Sequence, residues 1–188
     1  MASVGDEIAN PRTGQRMLFQ TITPELLEIE SWNPPHVPAE LEHTHPYQES
    51  GGRVLSGTVR FSVRGEQRDV GPGESITIPA GIPHHFWIPG EEEAHWIGTF
   101  RPALNTVAFF ETYFALARDD KLDEQGMPSL LQLAVMVPAF GAEIRPTTPP
   151  WPLLKTITAL IAPLARIRGY RATYPNTDGS ATHAVNPN

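Results

Sequence analysis

GESITIPAGIPHHFWIPG, residues 73–90, decides how the chain folds. Gly73 opens a short β-branched run at 75–78, Pro79-Ala80-Gly81 turns it, and His84 starts a second run through Ile88. Upstream, Val59, Phe61 and Val63 alternate with Thr58, Arg60, Ser62 and Arg64, the period-two pattern of a half-buried strand. Arg64-Gly65-Glu66 suits a hairpin turn, while Gly71-Pro72-Gly73 and Pro89-Gly90 break the chain again. Downstream, AHWIGTF (94–100) reads as a further strand. Short strands at near-regular spacing, separated by turn signals, predict a β-sandwich or small barrel.

Residues 17–21 and 26–32 add two strands around the turn at Thr23-Pro24, and the proline segment NPPHVP (33–38) leads to a pair of histidines. Residues 1–16 read as a loose lead-in. After Arg101-Pro102 the period changes: Leu104, Val107, Ala108, Glu111, Phe114 and Ala115 suit a helix, with Phe110 and Ala117 widening its apolar face. Pro128 suits a first helical turn before Leu130, Leu133, Ala134 and Val137. Leu153, Ile157, Leu160, Ile161, Leu164 and Ile167 form a third stripe, with Pro163 expected to kink or divide the helix. The organisation expected is a lead-in (1–16), a β-barrel (17–102), a helical extension of two or three helices (103–174) and a polar tail (175–188).

Charge narrows the function. The 188 residues carry a formal net charge of −7 and no run of Lys or Arg, so neither nucleic acid nor an anionic membrane is an expected partner. Cysteine is absent, which excludes disulfides, thiolate metal sites and cysteine nucleophiles and is compatible with the cytoplasm. The first 16 residues lack the apolar run of a signal peptide. The most apolar stretch, 152–167, contains Lys155, Pro163 and Arg166 and falls short of the ~20 apolar residues of a membrane span.

The chemistry lies in HTHPYQES, residues 43–50. In a strand, residues i and i+2 face one side roughly 6–7 Å apart, so His43 and His45 can reach one ion. Imidazole is a common ligand of zinc, iron, nickel and manganese. A hairpin partner brings His84 against the pair, and Glu49 would complete three imidazoles and one carboxylate. His85 should point the other way, His95 reads as a surface strand residue, and His36 and His183 earn no role. Tyr47 shares strand parity with the histidines, and its hydroxyl is a candidate donor to a substrate.

These two segments resemble the paired motifs of the cupin superfamily. The first, HTHPYQESGGRVLSG, resembles the glycine-spaced His-x-His…Glu motif; the second, GESITIPAGIPHHFWI, resembles Gly-x5-Pro-x-Gly-x2-His-x3-Asn, with Ile88 where Asn is usual. The resemblance covers residues 40 to 100 and implies a jelly-roll β-barrel with a divalent metal (Fe, Ni, Mn or Zn) near its wider mouth. It implies the ligands His43, His45, Glu49 and His84. Seven residues rather than six separate Glu49 from Gly57, so the common register puts Ser50 at the acid position. Either a bulge at Gly51-Gly52 turns Glu49 inward, the reading favoured, or the acid is lost and Gln48 or water completes the shell.

The resemblance implies a metal-dependent enzyme of secondary metabolism. Its first expectation is a dioxygenase-type oxidoreductase for a phenolic or enolic metabolite, with Glu49 as ligand and base and Tyr47 assisting. Its alternatives are a redox-neutral isomerase, cyclase or lyase of polyketide-like substrates, and a non-catalytic small-molecule binder. Cupin barrels commonly pair, so a homodimer is expected, with the helices as one possible interface.

Overall fold

The computed structural model describes residues 1–37 and 39–175; the expected tail from 176 onward lies outside them. Eleven strands are defined among these residues: β1 (Glu7–Ala9), β2 (Arg16–Ile22), β3 (Leu27–Asn33), β4 (His43–Thr44), β5 (Glu49–Ser56), β6 (Val59–Val63), β7 (Glu66–Val70), β8 (Ser75–Ile78), β9 (His84–Trp87), β10 (Ala94–Arg101) and β11 (Arg145–Pro146). The helices are α1 (Thr106–Arg118), α2 (Leu130–Phe140) and α3 (Trp151–Ile167). The strands form two antiparallel sheets, ordered β1-β2-β3-β10-β5-β8 and β11-β4-β9-β6-β7. This is the jelly-roll barrel expected, followed by three helices. No helix among the described residues is long and apolar enough to cross a membrane.

Alternation builds the barrel. Val59 and Phe61 of β6 are buried with Val54, Val70, Ile78, Ile88, Ala94 and Trp96 in one cluster. Trp96 meets the polar requirement of its indole by donating to Asn33 Oδ1 at 2.9 Å. Arg64 and Gly65 both take positive φ, 54° and 82°, as a two-residue turn between β6 and β7 requires. The lead-in is more ordered than expected: Ile8 in β1 is buried, and β1 pairs with β2.

A second cluster joins barrel to helix, with Phe19, Leu27 and Ile29 packed against Val107 and Phe114 of α1. Leu104, expected on the apolar face of that helix, precedes it at positive φ and is exposed. Ser129 caps α2 by accepting from the Gln132 N–H. Pro163 does not divide α3, which runs unbroken through it.

Helix α3 faces the opposite way from a simple reading of its pattern. Its buried residues are Leu154, Thr158, Ala162 and Ala165, and Ala162 and Ala165 cluster with Ala134 and Val135 of α2. Small side chains let two helices approach closely, so this narrow face is the packed one. The larger stripe of Leu153, Ile157, Leu160, Leu164 and Ile167 is exposed.

Candidate metal centre

His43 lies on β4, His84 opens β9, and the two are direct partners across the antiparallel pair. His45 follows β4 two residues after His43, on the same side of the chain. Strand parity and pairing therefore bring together three rings from two distant motifs. One ligand nitrogen from each lies within 4.8 Å of the other two. All three histidines are buried.

The far nitrogen of each ring is engaged by a main-chain carbonyl. Nδ1 of His43 lies 2.8 Å from Leu41 O, Nδ1 of His45 lies 2.6 Å from Glu143 O, and Nδ1 of His84 lies 2.8 Å from Ile82 O. A carbonyl only accepts, so each Nδ1 carries the proton and each Nε2 presents a lone pair. Burial drives the pKa of His43 down to about 3, with the neighbouring His45 and His84 adding to the effect. Burial likewise lowers His45 to about 4, against the opposing pull of the Glu143 carbonyl, and lowers His84. Three neutral imidazoles with free lone pairs and oriented rings are the donor set that a divalent transition metal takes.

The fourth position differs from the favoured expectation. Strand β5 pairs with β8 from Ser50 to Arg53 and with β10 from Glu49 to Val54 without a shift in register, so no bulge forms at Gly51-Gly52. The irregularity comes later, at Leu55, between the pairs Trp96–Val54 and His95–Ser56. Glu49 accordingly faces solvent, whereas Ser50 is buried with its Oγ 3.4 Å from His84 Nε2. Among the described residues no carboxylate joins the three rings. Tyr47 does not join them either: it is 61% exposed, with the Arg145 guanidinium over its ring.

Gln48 is two residues before Ser50 and fully buried. Its amide nitrogen donates to Pro102 O, Ala103 O and Thr106 Oγ1, while its Oε1 has no protein partner. Three acceptors around one nitrogen fix the amide's orientation, which leaves the oxygen as the free group.

The helical extension also shapes the site. Strand β11, between α2 and α3, pairs with β4 so that Pro146 sits opposite His43. Just before it, Glu143 orients His45 through its carbonyl and accepts from the Asn105 N–H through Oε1, at the start of α1. Phe100 lies against the His45 ring with centroids 5.3 Å apart, and Phe110 of α1 backs Phe100 at 5.8 Å. Neither Glu143 nor β11 carried a metal-site signal in the sequence, because a main-chain carbonyl and a two-residue strand leave no pattern.

His85 stacks on Trp87 rather than joining the cluster. His95 pairs with Glu30 at 2.6 Å and stacks on Trp32, on the outer side of β10.

The family model described as "Cupin domain" matches residues 33–100, the segment that contains all three histidines. Among solved structures, KdgF from a Halomonas species shares 21% identity over 50% of this chain and 84% of its own, with a TM-score of 0.46. An RmlC-like cupin from Shewanella frigidimarina shares 21% identity over 53% of this chain and 86% of its own, with a TM-score of 0.47. Among curated proteins no sequence matches. With its paired motifs, the two-sheet barrel around it and this match, the segment 33–100 is a cupin domain.

Proposed function

We propose that the protein is a metal-dependent enzyme of dioxygenase type acting on a small phenolic or enolic metabolite. The observation that carries this reading is the set of three carbonyl-locked imidazoles whose lone pairs converge in a buried space. A divalent iron, nickel or manganese ion held by His43, His45 and His84 would supply a Lewis-acidic, redox-capable centre with open coordination positions.

The chain's residues define the rest. Three neutral ligands and no carboxylate leave the full cationic charge available, which favours an anionic oxygen such as a phenolate or enolate. Ser50 Oγ, 3.4 Å from His84 Nε2, is an uncharged polar group at hand for a fourth contact or a bound water. Phe100 and Phe110 form an apolar wall beside His45 that suits a flat aromatic or conjugated substrate and excludes water.

Oxygenation is preferred over redox-neutral chemistry for a stated reason. Isomerisation, cyclisation and elimination need a side chain to carry a proton; among the described residues no carboxylate lies within ligand range of the three rings, and Glu42, whose charge bears on His84, is engaged by the Thr147 hydroxyl. An acidic phenol or enol releases its proton to solvent and binds as its anion, so this step needs no side-chain base. Dioxygen then oxidises the substrate and is itself reduced, both its atoms entering the product, so no external reductant is required.

The test is oxygen consumption by iron-, nickel- and manganese-loaded protein over a panel of phenols and 1,3-dicarbonyl enols. Uptake equal to substrate loss, abolished by His84→Ala, is the expected result. Turnover without oxygen consumption would replace this reading with the redox-neutral one.

A further inference from the structure

We infer that α3 is the dimer interface of this protein, pairing antiparallel with α3 of a second copy across a two-fold axis at Leu160. Leu153, Ile157, Leu160, Leu164 and Ile167 follow one another at intervals of four, three, four and three residues, the spacing of a helix–helix seam. All five are exposed, Leu160 at 76% and Ile167 at 84%. They are five of the eleven exposed large hydrophobic residues among the described ones, gathered on one helix face. The opposite face of α3 is already occupied by α2 through Ala162 and Ala165.

The identity of the occupant follows from symmetry and charge. From Leu160 the stripe reads nearly alike in both directions: Leu153 and Ile167 are each seven residues away, Ile157 three and Leu164 four. An isologous contact requires such a self-complementary surface. Antiparallel pairing sets Leu160 against Leu160 of the second copy and Leu153 against Ile167.

A lipid surface is the lesser fit. Helices that lie on membranes carry basic residues along both borders of the apolar stripe. At 100° per residue, Lys155 and Arg166 are turned well away from this stripe, and only Arg168 borders it. Residues 176–188, NTDGSATHAVNPN, contain no Leu, Ile or aromatic residue with which to cover it. The seam is small beside the roughly 800 Å2 that each partner gives a typical stable interface, so the dimer should dissociate on dilution.

The chain has no cysteine, so single introduced cysteines report the geometry. Sedimentation of the full chain should show a concentration-dependent dimer that Leu160→Glu abolishes, with circular dichroism unchanged. Under oxidation or a short thiol crosslinker, Leu160→Cys should link to itself. Leu153→Cys alone should not, because its two copies would lie about 23 Å apart, twice seven residues at 1.5 Å along the axis and about 10 Å across it. A mixture of Leu153→Cys and Ile167→Cys should link. A monomer at roughly 100 µM, a dimer indifferent to Leu160→Glu, self-linking of Leu153→Cys, or sedimentation of monomers with anionic vesicles in place of dimerisation would each overturn the inference.

Discussion

Lowering the pH of the metal-free protein from 7.5 to 5 should expose the three buried histidines as a stability cost. An unfolded chain holds its histidines at a pKa near 6.5, whereas the folded chain holds His43 near 3 and His45 near 4. Above about pH 7 both states keep the rings neutral, and stability is indifferent to them. As the pH falls through 6.5 the unfolded state takes up protons that the folded state refuses, so stability falls; the loss levels off only below the folded values. Each such ring contributes a slope of about 1.4 kcal/mol per pH unit. By pH 5 the loss reaches about 2 kcal/mol for each of His43 and His45, with a further loss in the same direction from His84. Against a total stability of about 5–15 kcal/mol, that brings the metal-free chain close to unfolding. The assay is urea denaturation followed by tryptophan fluorescence after chelation, in wild type and His43→Ala. The variant is less stable at pH 7.5 because of its cavity, but should lose about 2 kcal/mol less than wild type between pH 7.5 and 5. Parallel pH profiles for the two proteins would refute the buried, neutral state of His43.

Three further outcomes follow from the same geometry. Ser50→Glu places a carboxylate beside His84 Nε2; it should destabilise the metal-free protein by a few kcal/mol and raise metal affinity at least tenfold, measured by competition with a chelator. Glu49→Gln should leave metal content and turnover unchanged, because Glu49 faces solvent; loss of either would restore it to the site. Gly52→Ala sets a Cβ 2.3 Å from Ile97 O and 2.7 Å from the Trp96 ring, so chemical denaturation should show a loss of about 3 kcal/mol or more.

The barrel was legible where periodicity carried it. Val59, Phe61 and Val63 declared a strand by alternation, and Arg64-Gly65 a tight turn; both stand in β6 and its hairpin with β7. His43, His45 and His84 were legible because i, i+2 parity and a cross-strand pair are properties of spacing. The fourth position was not. Whether Glu49 or Ser50 turns inward depends on where β5 breaks register with β10, and that break at Leu55 is set by partners some forty residues away in the chain. The stripe on α3 misleads in a different way: its period marks a helix correctly, but the larger side chains face outward because close packing against α2 selects alanine. Glu143 was invisible because it orients His45 through its backbone carbonyl, which any residue possesses.

Metal content tests the central claim most directly. Elemental analysis of the purified full chain, with His43→Ala, His84→Ala and His85→Ala alongside, should find about one divalent transition-metal ion per chain in wild type and His85→Ala. Most of it should be missing from the other two variants. Equal metal content in wild type, His43→Ala and His84→Ala would contradict the convergence of the three rings on one ion.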